Sequence, residues 1–318
     1  MNNVYLPEGL LLSTPQNREY ISSLSGLERA MNEGRILEST VLLCDNQMRL
    51  HVDLYGVEGI IEREESLYSR EESPIKDIAV ITRVGKPVCF KVISIEYPNG
   101  KPRAILSRRA AQIECMSAFV DKLSCGDIIK VRISHLESFG AFVDIACGIT
   151  SLCSVDCISV SRISHPKDRL SIGEYVYTVV KAKEKDSGRI FVSMRELLGT
   201  WEENAKLFES GQTVTGIIRS VEDYGVFIEL TPNLAGLAEI RDGSRDRLAA
   251  SVGQSAAVYI KNIIPERMKI KLVLIDSYKD TPPKRPLKYF IDPDVTNHID
   301  VWKYSPEISG KTIETVFN

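Results

Sequence analysis

Two stretches in the second half of the chain alternate apolar residues with others at a period of two. Ala141, Val143 and Ile145 share one face of a predicted strand, and Phe142 and Asp144 share the other. The pattern returns as Val226, Ile228 and Leu230 opposite Phe227 and Glu229. A fainter copy sits earlier, where Leu50, Val52 and Leu54 alternate with His51 and Asp53. Each copy follows a glycine: Gly34, Gly126 or Gly211. Before these glycines stand the pairs Leu24 and Met31, Met116 and Leu123, and Trp201 and Phe208. The members of each pair lie two helical turns apart, which predicts an amphipathic helix leading into each unit. Thr14 as N-cap and Pro15 at the first helical position mark the start of the first helix.

Behind Gly126 the alternation and the turn residues predict strands over 128–134, 142–145, 150–154, 175–181 and 189–193, with Asp186-Ser187-Gly188 as a turn. Behind Gly211 they predict 214–218, 226–230, 236–240, 256–261 and 269–274. Five short strands in so few residues suit a small closed barrel such as the OB-fold. With one inserted residue, Met48 to Leu54 aligns with Phe139 to Ile145, and the closing strand beginning at Arg103 aligns with that beginning at Arg189. The expected architecture is mainly β: three tandem five-stranded OB-fold barrels joined by short α-helical linkers. The segments are an N-terminal arm and helix (1–33), a degenerate barrel (34–110), a linker helix (111–125), a second barrel (126–198), a linker helix (199–210), a third barrel (211–276) and a Pro-containing extension (277–318).

The outward faces carry the candidate chemistry. A large aromatic beside a carboxylate is unsuited to a core and makes a platform for a flat ligand, as in single-strand nucleic-acid binders. Phe139 and Phe142 are three apart, so a regular strand would point them to opposite faces. A bulge at Gly140 would realign them, and Gly225 would do the same for Tyr224 and Phe227. The bland alternative packs these rings against a neighbouring unit.

Charge then refines the picture. The 318 residues carry a formal charge of −3, which argues against a strongly basic coat for DNA. The connectors 1–33, 111–125 and 199–210 alone sum to −5, which leaves the rest of the chain with a slight positive excess. Seven scattered cysteines suit a reducing cytosol. Cys147, Cys153 and Cys157 lack the usual spacing of a zinc site and are expected as small core residues. The start of the chain lacks the basic residues of a secretory signal, and no apolar run is long enough to span a bilayer. No phosphate loop, nucleophile elbow or metal-binding histidine pair occurs, so no catalytic residue, metal or cofactor is expected. Trp201 is expected as a packing residue and His165 as a loop-structuring one. The apolar segments from Ile299 and from Ile313 are expected to dock on a barrel beyond the extended linker Pro282-Pro283-Lys284-Arg285-Pro286.

The glycine-led openings, Phe139-Gly140-Ala141-Phe142-Val143-Asp144, Ser164-His165-Pro166 ahead of Leu170-Ser171-Ile172-Gly173-Glu174, and Arg189-Ile190-Phe191-Val192-Ser193 resemble S1 RNA-binding domains. Unit two resembles them strongly, unit three well, and unit one in degenerate form. The tandem array is similar to that of bacterial ribosomal protein S1 and its shorter relatives. The resemblance implies an RNA face of two aromatics on strand two, a histidine on strand three, and an acid and an arginine around strand five. In unit two these positions hold Phe139, Phe142, Ser154, Glu184 and Arg189. Beside the resemblance, the basic side chains of Arg132, Arg162 and Lys167 are expected as further phosphate contacts. In unit three the family positions hold Tyr224, Phe227, Glu239 and Lys269, and in unit one Met48, His51 and Arg103. It further implies a non-catalytic, cytoplasmic protein whose partner is single-stranded RNA, above all mRNA in translation, with the ribosome as a second partner and no membrane or small-molecule substrate. The rival expectation is a protein-interaction scaffold or RNA-decay accessory factor whose barrels have weak or no RNA affinity.

Overall fold

A computed structural model describes residues 5–69, 74–184, 188–239, 252–278, 284 and 286–317. Ile240, Asp186 and Ser187, and Pro282, Pro283 and Arg285, where the sequence predicts a strand end, a turn and a linker, lie outside them.

The chain opens with an extended arm and two short helices, α1 (Pro15–Ile21) and α2 (Leu24–Glu33). Thr14 caps α1, and Ser23 caps α2 by accepting from the Gly26 N–H. Gly34 ends α2 in the left-handed region at φ 64°. Gly126 and Gly211 also adopt positive φ, at 94° and 97°. The glycine that leads each unit is thus a backbone requirement, since a side chain there would be strained.

Three closed barrels follow. The first comprises β1 (Leu37–Cys44), β2 (Leu50–Leu54), β3 (Val57–Ile61), β4 (Pro87–Glu96) and β5 (Arg103–Ser107), with a short helix α3 (Asp77–Ile81) between β3 and β4. Helix α4 (Arg108–Ala118) leads to the second: β6 (Ile128–Glu137), β7 (Gly140–Ala146), β8 (Ile149–Ser154), β9 (Tyr175–Lys183) and β10 (Ile190–Ser193). Helix α5 (Trp201–Ala205), held by a Thr200–Glu203 capping box, leads to the third: β11 (Thr213–Glu222), β12 (Gly225–Thr231), β13 (Leu234–Glu239), β14 (Ser255–Ile264) and β15 (Lys269–Tyr278). In each barrel the third and fifth strands pair in parallel, and every other pairing is antiparallel. The linker helices are shorter than the apolar spacing predicts; Leu123 and Phe208 lie beyond the helical turns.

The inward faces match the alternation. Leu50, Val52, Leu54, Ala141, Val143, Ile145, Val226, Ile228 and Leu230 are all buried. Cys147, Cys153 and Cys157 lie in the core of barrel two. Trp201 packs into the core of barrel three, and the His165 Nδ1 accepts from the Lys167 N–H. The tail forms a small hairpin, β16 (Val301–Lys303) and β17 (Glu314–Val316). Trp302, Tyr304 and Phe317 bury against barrel three, and the Tyr304 hydroxyl donates to the Asn233 carbonyl at 2.6 Å.

Barrels one and two share a polar joint beneath the N-terminal arm. The Arg108 guanidinium is fully buried and donates to both Glu8 oxygens, at 2.7 and 3.2 Å, and to the Ser66 carbonyl. Burial alone would raise the Glu8 carboxyl; the adjacent guanidinium outweighs it and holds the group below its usual range.

Candidate nucleic-acid interface

Phe139 and Phe142 meet edge to face with centroids 5.9 Å apart, so both rings do lie on one side. The cause differs from the predicted bulge at Gly140. Glu137 pairs with Gly140, which leaves Ser138 and Phe139 as a two-residue turn, and the Phe139 ring folds back over the strand. Gly140 is needed for another reason: a Cβ there would stand 2.5 Å from the Cys153 carbonyl oxygen of β8. Tyr224 and Gly225 repeat the arrangement, with Tyr224 and Phe227 at 6.2 Å. The extra residue lies instead on the opposing first strand, between Ile133 and His135 in barrel two and between Ile218 and Ser220 in barrel three.

Counted from the turn, ahead of that bulge, His135 stands opposite Phe142, with the rings stacked at 6.4 Å. Phe142 in turn faces Leu152 of β8, and Leu152 faces Phe191 of β10. His135, Phe142, Leu152 and Phe191 thus form one row across four strands, all half-buried or exposed. Phe139, 53% exposed, stands at its edge beside Ser154, which pairs with Gly140. His135, Leu152 and Phe191 are absent from the sequence-derived candidates. His135 was recoverable: counting outward from a two-residue turn at Ser138-Phe139 pairs Leu136 with Ala141, so the next outward residue before it meets Phe142.

The other candidates of barrel two are dispersed. Glu184 and Arg189 flank the β9–β10 connection, where the Glu184 N–H donates to the Arg189 carbonyl at 2.9 Å. Arg189 lies two residues before Phe191, and Ser154 lies two residues past Leu152 in the opposite sense. The two are therefore about 13 Å apart along the strands. Arg189 borders a cavity of about 300 Å³ with Tyr68 and Gln112, away from Phe139. Arg162 follows Val160 and Ser161, which bond to Asn233 and Pro232 of barrel three, so it sits on the seam between barrels. Arg132 lies opposite Asp144 in the β6–β7 ladder and lines a cleft against barrel one.

The acids of the second strands depart from expectation. Asp144 and Glu229 face outward but are buried, because other elements cover them. Asp144 accepts the N–H groups of Glu8 and Gly148, at 2.7 and 2.9 Å, and burial followed by the Glu8 carboxylate pushes its carboxyl up. Glu229 accepts from Arg169 at 3.0 and 2.8 Å and from Arg219 at 2.7 Å. Those guanidinium groups outweigh its burial and lower its carboxyl.

Barrel three keeps a weaker row of Ser220, Phe227, Leu237 and Lys271. Lys271, not Lys269, is the cation in register, and the exposed Glu239 carboxylate lies 3.9 Å from it. Barrel one has lost the row. His51 is held by Asp45 at 3.2 Å and Glu58 at 3.7 Å, and Met48 occupies a turn at φ 62°.

No helix among the described residues is long and apolar enough to cross a membrane, and their His, Cys, Asp and Glu side chains form no cluster of three or more placed to hold a metal ion. Residues 122–195 match the family model of the S1 RNA binding domain. The chain is 29% identical over 252 residues to the small ribosomal subunit protein bS1 of Leuconostoc lactis, covering 76% of this chain and 56% of that protein. It thus spans little more than half the length of that relative. Among solved structures, a multidomain protein with nucleic acid binding domains from Streptococcus pneumoniae superposes with a TM-score of 0.25 at 14% identity, over 76% of this chain and 74% of that one. The small ribosomal subunit protein bS1 of Staphylococcus haemolyticus is 32% identical over 293 residues, 89% of this chain and 69% of its own length. With three closed barrels in tandem, the middle one matching the S1 domain, and that extent of shared sequence, the chain belongs to the bS1 family.

Proposed function

We propose that the chain is a non-catalytic, cytoplasmic protein that binds single-stranded RNA, with mRNA during translation as its substrate and the ribosome as its place of work. The observation that carries this reading is the row of His135, Phe142, Leu152 and Phe191, edged by Phe139. A flat, half-exposed apolar strip of this kind stacks bases without reading their sequence, at roughly 1–3 kcal/mol per base. Its support from relatives is a match to a domain described as RNA binding and likeness to proteins named for the small ribosomal subunit.

Barrel one favours a different role. Its candidate face is closed by the Asp45, His51 and Glu58 contacts, while Leu43 and Tyr55 are exposed nearby, which suits contact with protein. Crosslinking to RNA in cells with peptide mapping tests the division. Crosslinked peptides are expected from β6, β7, β8 and β10. Their absence there, with peptides recovered from barrel one, would overturn it.

A further inference from the structure

Between barrels one and two lies a cleft of about 240 Å³. Thr82, Arg83 and Lys86, from the segment behind α3, form one wall; Arg132 and His135 of β6 form the other. Its floor holds Glu8 and Asp144. Glu8 is spent on Arg108 at 2.7 Å, with Arg83 a further 3.9 Å neighbour. Both oxygens of Asp144 already accept backbone N–H groups. The side chains of Lys86 and Arg132 have no hydrogen-bonded or ion-paired partner among the described residues. Arg83 and Arg132 lie close enough to Lys86 that, after its partial burial, they lower its affinity for a proton. Three cations converge where the local carboxylates are already engaged, and like charges held together in this way favour an anion.

The position of His135 gives the anion a class. His135 lines the cleft and also stacks on Phe142 at the end of the aromatic row. A strand whose bases lie on that row carries its sugar-phosphate chain straight into the cleft. The geometry points to a phosphodiester-binding site formed by Arg83, Lys86 and Arg132, which extends the single-strand path of barrel two onto barrel one. This rests on the proposal that barrel two stacks RNA bases, and it gives the degenerate barrel a part in binding through its connecting segment rather than through its own face.

The test is a salt series on the full chain with a labelled oligouridine, comparing Lys86→Gln/Arg132→Gln with Phe142→Ala. Each phosphate contact on a single strand contributes about −0.7 to the log–log slope, so the double variant should shallow the slope by about 1.4. Phe142→Ala should weaken binding at every salt concentration and keep the slope. Arg132→Lys in place of Arg132→Gln in the double variant retains one charge and should restore about half of that change, roughly 0.7. Inorganic phosphate at constant ionic strength should not compete appreciably, because the site gains its affinity from the attached strand. A double variant with the native slope overturns the cleft while leaving the stacking row in place, as does loss of slope in Arg132→Lys equal to that in Arg132→Gln. A shallower slope with a silent Phe142→Ala keeps the cleft and removes the row. Strong competition by inorganic phosphate would identify a free-anion site and overturn the path.

Discussion

Arg169 grips Glu229 with both terminal nitrogens of its guanidinium, at 3.0 and 2.8 Å, across the seam between barrels two and three. Both side chains are buried, and Arg219 closes the carboxylate from the other side at 2.7 Å. The equivalent acid one barrel earlier, Asp144, receives the arm at Glu8. The outward carboxylate of strand two is therefore a docking point between elements in both places, and no part of the exposed stacking row.

Glu229→Gln should loosen that seam. It leaves the buried Arg169 guanidinium without its counter-charge and Arg219 with Asp168 alone at 3.8 Å, and breaking a buried pair in this way costs about 3–5 kcal/mol. Denaturant unfolding of the full chain should show a lower midpoint. Limited proteolysis should cut first in the connector around α5. An unchanged midpoint would mean that the seam is held by apolar contacts alone.

Phe142→Ala should leave folding intact, because the ring is half-buried on the outer face while Ala141 and Val143 hold the core. Binding of single-stranded RNA at fixed salt should weaken by about 1–3 kcal/mol, the worth of one stacked base. His135→Ala should weaken it less, since His135 is also engaged with Glu137 at 2.7 Å. Fluorescence titration with a parallel thermal melt checks both; native affinity in Phe142→Ala would remove the platform.

Much of this was legible in sequence, for a physical reason. Apolar alternation reports directly on what a barrel interior accepts, so Ala141, Val143 and Ile145 and their counterparts announced the three barrels. The outer face was less legible. Its members come from four strands, and their meeting depends on register, which a single bulged residue on β6 shifts. Arg189 was grouped with Phe139 because the family resemblance assigns both to one RNA face, yet parallel pairing of β10 with β8 sets them at opposite ends. Asp144 and Glu229 looked exposed because a period of two cannot say what another element will lay on top.

The N-terminal arm should confer a pH dependence through Glu38. Its carboxylate accepts the N–H groups of Gly9, Leu11 and Leu12, the last two at 2.8 and 2.9 Å. Burial is the larger effect and pushes the carboxyl from its ordinary 4.5 up to about 7. A folded value above the unfolded one means that the fold binds the proton more tightly. Its stabilisation is full below pH 4.5 and is lost as pH rises to about 7. Unfolding free energy should therefore fall over that window by up to about 3 kcal/mol, and Glu38→Gln should shallow the fall. An identical profile in the variant would show that the arm titrates elsewhere.

Glu239→Ser should strengthen barrel three. Glu239 faces Gly225 where barrel two has Ser154 facing Gly140, so the substitution installs the residue of the stronger row. Its carboxylate is 65% exposed and 3.9 Å from the Lys271 ammonium, an arrangement worth about 0–1 kcal/mol to folding, so stability should hold. Binding should respond more. Lys271 pairs with Leu237, which faces Phe227, so the freed ammonium lies in register with the stacking ring. One added phosphate contact steepens the log–log salt slope by about 0.7. The comparison belongs in a Phe142→Ala background, where barrel three is read with barrel two weakened. The reverse change, Ser154→Glu, should weaken barrel two in the native background. If neither moves the slope or the affinity, the graded strength of the two rows has its origin in Tyr224 and Phe139 rather than in this charge.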